Sequence, residues 1–134
     1  MIVIDASVLA NALLDDGQLG ERARAELARE PHWAAPEHVS VEVFSAIRGR
    51  YLGRKVSERR AADAVEALAE ASIDLVATMP LFGRMWELRT NLTGYDAAYV
   101  AVAETYGCAL VTADERLAHA PGPRCEVRSA LTRS

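Results

Sequence analysis

The sequence contains little cysteine and little histidine, and neither residue type occurs in a metal-binding pattern. Its two cysteines have no C-x-x-C spacing, and its three histidines form no H-x-x-x-H pair. A disulfide framework and a structural zinc site are therefore both unexpected. We expect Cys108 and Cys125 to be reduced packing residues, and His32, His38 and His119 to be surface or half-buried side chains.

Long apolar runs are also missing. No stretch approaches the roughly 18 apolar residues that a membrane-spanning helix needs. The apolar start from Met1 to Ile4 has no basic lead and is too short for a signal peptide. We therefore expect a cytoplasmic protein.

The chain has 134 residues, of which 51% are hydrophobic, and this suits one domain, 1–134, with one sizeable core.

Lysine is almost absent, since Lys55 is the only lysine among fifteen basic side chains and the others are arginine. The net charge of −4 at first argues against a nucleic-acid partner. That argument weakens if the acidic groups gather around divalent cations, because the metal would cancel much of their field and meet a phosphate itself. The arginine excess suits phosphate contacts, but a composition bias of the genome would produce the same excess.

Apolar segments alternate with amphipathic helical segments along the chain. Strands are predicted at Met1–Ile4, His32–Ala35, Ile73–Ala77, Ala109–Thr112 and Cys125–Arg128. Helices are predicted at Ser7–Leu14, Gly20–Arg29, His38–Leu52, Ser57–Ala71, Leu81–Thr90, Thr93–Tyr106 and Asp114–Ala118. This alternation predicts an α/β fold with a mostly parallel sheet and helices on both faces. Ligands of such folds bind beyond the carboxyl ends of the strands.

Four acidic residues are placed to meet at that edge of the sheet. Asp5 ends the first strand, and Asp114 lies just past the strand that finishes at Thr112. Glu42 and Asp96 lie in the first turns of two helices. Each acid also has a simpler explanation, since the three aspartates suit helix capping and Glu42 could be a solvated helix residue.

Glu42 is the residue for which the simpler explanation fits least well. It lies beside the row Val39, Val43 and Ile47, which is expected to face the core, and small residues follow it on its own side. A half-buried carboxylate there is costly unless it meets a cation or hydrogen-bond donors. Four converging carboxylates would raise one another's pKa, and hard divalent cations with oxygen ligands remove that repulsion. The pattern therefore indicates a metal site suited to phosphodiester hydrolysis.

The sequence resembles the PIN-domain family, and within it the VapC toxins of toxin–antitoxin pairs. Four segments in the family's order carry the resemblance: IVIDASVL at 2–9, VEVFSAIR at 41–48, YDAAYVAVAE at 95–104 and LVTADERL at 110–117. The resemblance covers nearly the whole chain and implies a PIN-like fold with a five-stranded, mostly parallel sheet flanked by helices. It also implies that Asp5, Glu42, Asp96 and Asp114 are catalytic residues that hold Mg²⁺ or Mn²⁺, directly or through water.

Further roles follow from the same resemblance. Ser7 and Thr112 match positions that support the acidic pocket by hydrogen bonds, although a helix cap and a β-branched strand residue explain them equally well. Family members are endoribonucleases that cut tRNA or ribosomal RNA and leave a 5′-phosphate and a 3′-hydroxyl. They form homodimers and are silenced by a small VapB-like antitoxin that brings a basic side chain near the acids.

Several basic residues are candidates for RNA contacts. Arg89 and Arg116 lie close in sequence to Asp96 and Asp114, and we expect them near the mouth of the pocket. A second basic group surrounds the predicted bend between two helices, where a solvated helical arm is the simpler explanation. Its members are Arg48, Arg50, Arg54, Lys55, Arg59 and Arg60.

Other functions are compatible with parts of the pattern. A PIN-domain RNA-processing nuclease without a toxin role, and a non-catalytic PIN scaffold that binds RNA or protein, share its motifs. A haloacid-dehalogenase-like phosphatase requires a second aspartate where Ser7 stands. A receiver domain requires a late lysine, which this sequence lacks because Lys55 is its only lysine.

Overall fold

The computed structural model describes residues 1–131 and shows a five-stranded parallel sheet in that range. The strands are β1 (Ile2–Ile4), β2 (Trp33–Pro36), β3 (Ile73–Val76), β4 (Ala109–Thr112) and β5 (Val127–Ser129). Their order across the sheet is β3-β2-β1-β4-β5, and every pairing is parallel. The predicted α/β architecture is confirmed.

Helices connect the strands and pack against the sheet. They are α1 (Ala6–Leu14), α2 (Gln18–Ala28), α3 (Val39–Leu52), α4 (Glu58–Glu70), α5 (Phe82–Glu87), α6 (Gly94–Tyr106) and α7 (Glu115–Ala118). Side chains of Asp5, Ser57, Thr93 and Asp114 accept hydrogen bonds from the first turns of α1, α4, α6 and α7. Gly107 ends α6 in the left-handed region, with φ of 64°, as its position predicts.

Several predicted elements are wrong in their bounds. Helix α2 begins at Gln18 and not at Gly20, and β2 is Trp33–Pro36 and not His32–Ala35. The predicted helix Leu81–Thr90 is α-helical only at Phe82–Glu87, and a 3₁₀ turn, Met79–Leu81, precedes it. After Glu87 the chain continues in tighter turns, because the amides of Leu88 and Arg89 bond to carbonyls three residues back. The last strand begins two residues later than predicted, after a bend at Cys125.

The core lies around β1, β4 and α6. All residues of β1 and β4 are buried, and α6 is buried from Ala97 to Ala103. Cys108 and Cys125 are partly buried and pack against this core, as predicted. None of the helices within residues 1–131 is long and apolar enough to cross a membrane. Because β1 and β4 are central neighbours, the residues that follow them emerge side by side at one edge.

Candidate active site

Asp5 lies at the centre of this edge, where β1 ends and α1 begins. Its side chain accepts hydrogen bonds from two hydroxyls and one amide. Oδ1 accepts from Ser7 Oγ at 2.6 Å and from the Val8 amide at 3.1 Å, and Oδ2 accepts from Thr112 Oγ1. The residue is 5% exposed. Asp5 is therefore a fixed, buried carboxylate, and the donors that hold it are neutral.

The pKa of Asp5 reflects these surroundings. Burial raises it from 3.8 to about 6, although the Ser7, Thr112 and Val8 hydrogen bonds pull it down. The negative charge of Asp96 raises it further. None of the main contributions to this shift comes from a cation. Within residues 1–131, Asp5 is therefore held in place by neutral donors and forms no ion pair.

Ser7 and Thr112 also organise the loop that carries Asp114. Ser7 Oγ accepts from the Ala113 amide at 3.0 Å, and Thr112 Oγ1 accepts from the Asp114 amide at 2.9 Å. The two hydroxyls therefore join the end of β1 to the end of β4. Asp114 in turn caps α7 by accepting from the Arg116 amide at 2.9 Å.

Asp96 stands in the first turn of α6, and its amide donates to Thr93 Oγ1 at 3.1 Å. The side chain is half-buried. Burial raises its pKa, the Thr93 hydrogen bond opposes this, and the charges of Asp114 and Glu42 raise it further. Asp96 therefore interacts electrostatically with each of the other three acids, since it also raises the pKa of Asp5.

Glu42 reaches this edge from α3 with its side chain 34% exposed. Its Oε1 accepts a hydrogen bond from the Tyr99 hydroxyl at 2.8 Å. His38 places Nε2 at 3.0 Å from the same oxygen, but without the alignment of a hydrogen bond. Sequence reasoning missed both partners, although His38 precedes Glu42 by one helical turn and Tyr99 follows Asp96 by three residues.

These four carboxylates suit a hard divalent cation in donor chemistry. All four are oxygen donors, and the charges of neighbouring acids raise the pKa of Asp5 and of Asp96. A cation would relieve that repulsion. Within residues 1–131, no group of three or more His, Cys, Asp or Glu side chains is placed so that it could by itself hold a metal ion. An open arrangement is what Mg²⁺ tolerates, because it keeps several waters and takes few protein ligands.

The predicted RNA contacts differ in their distance from the acids. Arg116 is 95% exposed, and its Nε lies 3.7 Å from Asp114 Oδ1. Arg89 instead stacks 4.5 Å from the ring centroid of Trp86 and donates to the Trp86 carbonyl at 2.8 Å. It lines a groove with Thr93 and Gly94, at the start of the helix that carries Asp96. Of these two arginines, only Arg116 lies close to one of the four acids among the described residues.

Part of the second basic group holds the helices together. Arg50 Nη2 donates to Asn11 Oδ1 at 2.8 Å, and Arg60 forms a two-pronged ion pair with Asp16 at 2.8 and 3.0 Å. These contacts join α3 and α4 to α1 and to the turn after it. A structural role therefore accounts for Arg50 and Arg60.

The sequence and the fold are both similar to those of known proteins. The PIN domain profile matches residues 2–123. The chain is 37% identical to VapC ribonuclease Mb0985 of Mycobacterium bovis over 127 residues, which are 95% of this chain and 96% of that one. Its fold is similar to Mycobacterium tuberculosis VapC20, a Sarcin-Ricin loop cleaving toxin, with TM-score 0.62, 20% identity and coverage of 82% and 87%. A toxin–antitoxin complex from Klebsiella pneumoniae gives TM-score 0.63 at 16% identity, with coverage of 97% and 98%.

Proposed function

The chain belongs to the PIN-domain family, and on that premise we propose that it is a magnesium-dependent endoribonuclease and the toxin of a toxin–antitoxin pair. Its substrates are tRNA or ribosomal RNA, its action blocks translation in the cytoplasm, and Mn²⁺ can replace Mg²⁺. Relatives that match most of the chain are named VapC ribonucleases, which supports the assignment to this class of enzyme.

One observation carries the proposal. Asp5 is a buried carboxylate whose pKa is raised to about 6, and the charge of Asp96, which itself interacts with Glu42 and Asp114, contributes to that shift. A buried, ionised group of this kind destabilises the fold unless a cation joins it. Stability of the fold alone does not favour such an acidic cluster. Groups with raised pKa values of this kind are typical of functional sites.

In this mechanism Asp5, Glu42, Asp96 and Asp114 hold the metal, directly or through water. Bound Mg²⁺ would supply an activated water and neutralise the charge that develops on the phosphate. Ser7 and Thr112 keep both oxygens of Asp5 at fixed positions, and the same hydroxyls fix the loop that carries Asp114. The chain's own contribution is therefore to place four anionic groups on a rigid edge.

The proposal also assigns roles outside the acidic cluster. Arg116 at the rim and Arg89 in the neighbouring groove contact RNA phosphates, because an acidic edge otherwise repels a polyanion. The same acidic edge fits a basic side chain from a VapB-like antitoxin, which would compete with metal and RNA. We further propose that the active form is a homodimer.

The proposal is tested with purified, antitoxin-free protein on total tRNA and ribosomal RNA. We expect cleavage in Mg²⁺ or Mn²⁺ that stops on addition of EDTA, with new ends carrying a 5′-phosphate and a 3′-hydroxyl. Ligation-based sequencing of the 5′ ends identifies the substrate. Cleavage at an equal rate in EDTA would contradict the metal mechanism, and 2′,3′-cyclic phosphate ends would contradict hydrolysis by a metal-activated water.

The toxin role has a separate test in cells. Induced expression of the wild-type chain is expected to arrest growth, and Asp5→Asn is expected not to do so at equal protein level. Co-expression of the cognate antitoxin relieves the arrest. Normal growth with active, soluble enzyme would instead favour an RNA-processing nuclease without a toxin role.

A further inference from the structure

The two oxygens of the Glu42 carboxylate have different surroundings. Oε1 accepts from the Tyr99 hydroxyl at 2.8 Å and lies 3.0 Å from His38 Nε2. Oε2 accepts no hydrogen bond from the part of the chain that the structure describes. One oxygen is therefore engaged by protein groups, while the other is free to bind a ligand.

Tyr99 is a rigid partner for Oε1. It is 1% exposed and stands on α6 three residues after Asp96, so that both side chains lie on the same side of the helix. Its hydroxyl donates the hydrogen bond to Glu42 Oε1 at 2.8 Å. The donor is therefore held in place by the packing of α6 in the core.

His38 flanks this contact from the start of α3. Its ring packs edge-on against the rings of Tyr95 and Tyr99, with centroids 5.3 and 5.2 Å away. Three aromatic rings therefore pack together next to Glu42, those of His38, Tyr95 and Tyr99. The hydrogen bond from Tyr99 connects the Glu42 carboxylate to α6, the helix that also carries Asp96.

We propose that Tyr99 is a positioning residue that limits Glu42 to one ligand oxygen and thereby favours Mg²⁺ or Mn²⁺ over Ca²⁺. The reason is geometric: Ca²⁺ accepts six to eight oxygens and often takes both oxygens of a carboxylate, whereas Mg²⁺ requires a compact octahedron. This inference rests on the proposed function, since it assumes that Glu42 holds a divalent cation.

The test uses binding of Mn²⁺ and Ca²⁺ to the metal-free chain, measured by calorimetry without RNA. Tyr99→Phe keeps the ring and removes the hydroxyl, so the fold is retained and near-UV circular dichroism checks it. We expect Mn²⁺ affinity to fall about tenfold, as for other hydrogen-bond partners of metal ligands. We also expect the ratio of Ca²⁺ to Mn²⁺ affinity to rise, because Oε1 becomes free. A merely structural role would lower the melting temperature and leave this ratio unchanged.

Tyr95→Phe is the matched control, because Tyr95 contacts the same histidine ring but is exposed and donates no hydrogen bond to Glu42. It is expected to bind both ions like the wild type. Tyr99→Phe is also made in a Glu42→Gln background, where it is expected to have no further effect if it acts through that carboxylate.

The outcomes separate the inference from the function on which it rests. A wild-type chain that binds no Mn²⁺ overturns the metal-site proposal and this inference with it. A wild-type chain that binds Mn²⁺, together with a Tyr99→Phe variant of unchanged affinity and ion preference, overturns this inference alone. An equal loss of affinity from Tyr99→Phe in the Glu42→Gln background overturns it as well.

Discussion

Asp5 and Glu104 are both largely buried carboxylates, but their surroundings differ in charge. Glu104 has a side chain that is 15% exposed, and it accepts from Arg84 Nε at 2.7 Å, Arg84 Nη2 at 3.0 Å and the Arg124 amide at 2.7 Å. Asp5 accepts only from two hydroxyls and one amide. Glu104 thus pairs with a cation from its own chain, whereas Asp5 pairs with none of the cations in residues 1–131.

The pKa values of the two groups record this difference. Burial raises the pKa of Glu104, but the hydrogen bonds and charges of Arg84 and Arg124 outweigh it, so its pKa lies below the ordinary value. For Asp5 burial prevails. The comparison separates a carboxylate that is paired with an arginine from one that has only neutral hydrogen-bond donors among the described residues. It also shows that burial of an acid, by itself, does not identify a functional group.

The largest expected contrast is in catalysis. Asp5→Asn should lower the rate of RNA cleavage on the order of a thousandfold, or about 4 kcal/mol of transition-state stabilisation, because it removes an anionic metal ligand. Glu104→Gln should leave the rate per folded molecule within about twofold of the wild type. Initial rates at saturating Mg²⁺ measure both. Comparable losses in the two variants would erase the distinction drawn between the two carboxylates.

The effect on the free energy of unfolding should be larger for Glu104→Gln than for Asp5→Asn, which is the opposite of the order expected for catalysis. Glu104→Gln is expected to lower the free energy of unfolding by about 3 kcal/mol, because it leaves Arg84 partly buried without its carboxylate. Glu87→Gln is the control, since Glu87 pairs with the same arginine at 3.3 Å but is well exposed. That control should change stability by less than about 0.5 kcal/mol. Urea denaturation measures both values, and equal effects would show that the Arg84–Glu104 pair is no more than a surface contact.

The pH dependence of stability provides a third contrast. The folded pKa of Asp5, about 6, exceeds its unfolded value of 3.8, so the folded state binds more protons in this range. The contribution of Asp5 to metal-free stability should therefore fall by roughly 2 kcal/mol as the pH rises from 4 to 7. Asp5→Asn should remove this decline, measured as the difference between the two denaturation curves in EDTA. A difference that does not change with pH would show that Asp5 is not desolvated as described.

The smallest expected effects concern the arginines. Arg116→Ala and Arg89→Ala should each raise KM about three- to tenfold with little change in kcat, because each removes a phosphate contact and leaves the acids in place. Each should also reduce the slope of log affinity against log salt by about one. Arg29→Ala is the matched control, because Arg29 is also exposed but pairs with Glu26 at the end of α2. If all three variants behave alike, no specific RNA contact is assigned to Arg89 or Arg116.

The spacing of apolar residues along the sequence was sufficient to predict most of the helices and strands, and to place the four acids on them. Strand ends at Asp5 and Thr112, and the buried row Val39, Val43 and Ile47, follow from apolar periodicity alone. The capping explanation for Asp5 and Asp114 is also correct, since both cap helices in the structure. Capping and membership of the acidic cluster are therefore compatible, and neither excludes the other.

Contacts between residues far apart in the chain could not be predicted from local sequence patterns. Tyr99 reads in sequence as one apolar residue of a buried helix, and nothing in its spacing indicates a partner on α3. Arg60 likewise looked like part of an exposed basic arm, whereas it pairs with Asp16 after α1. Such pairings depend on how helices pack across the sheet, which periodicity does not encode.

Binding of Mn²⁺ to the metal-free chain tests the central claim most directly, because it needs neither the RNA substrate nor the antitoxin. Calorimetry at neutral pH should show binding for the wild type, the same affinity for Glu104→Gln, and loss of binding for Asp5→Asn. The opposite result, with no binding to the wild type or undiminished binding to Asp5→Asn, would contradict a metal site built around Asp5 at the carboxyl edge of the sheet.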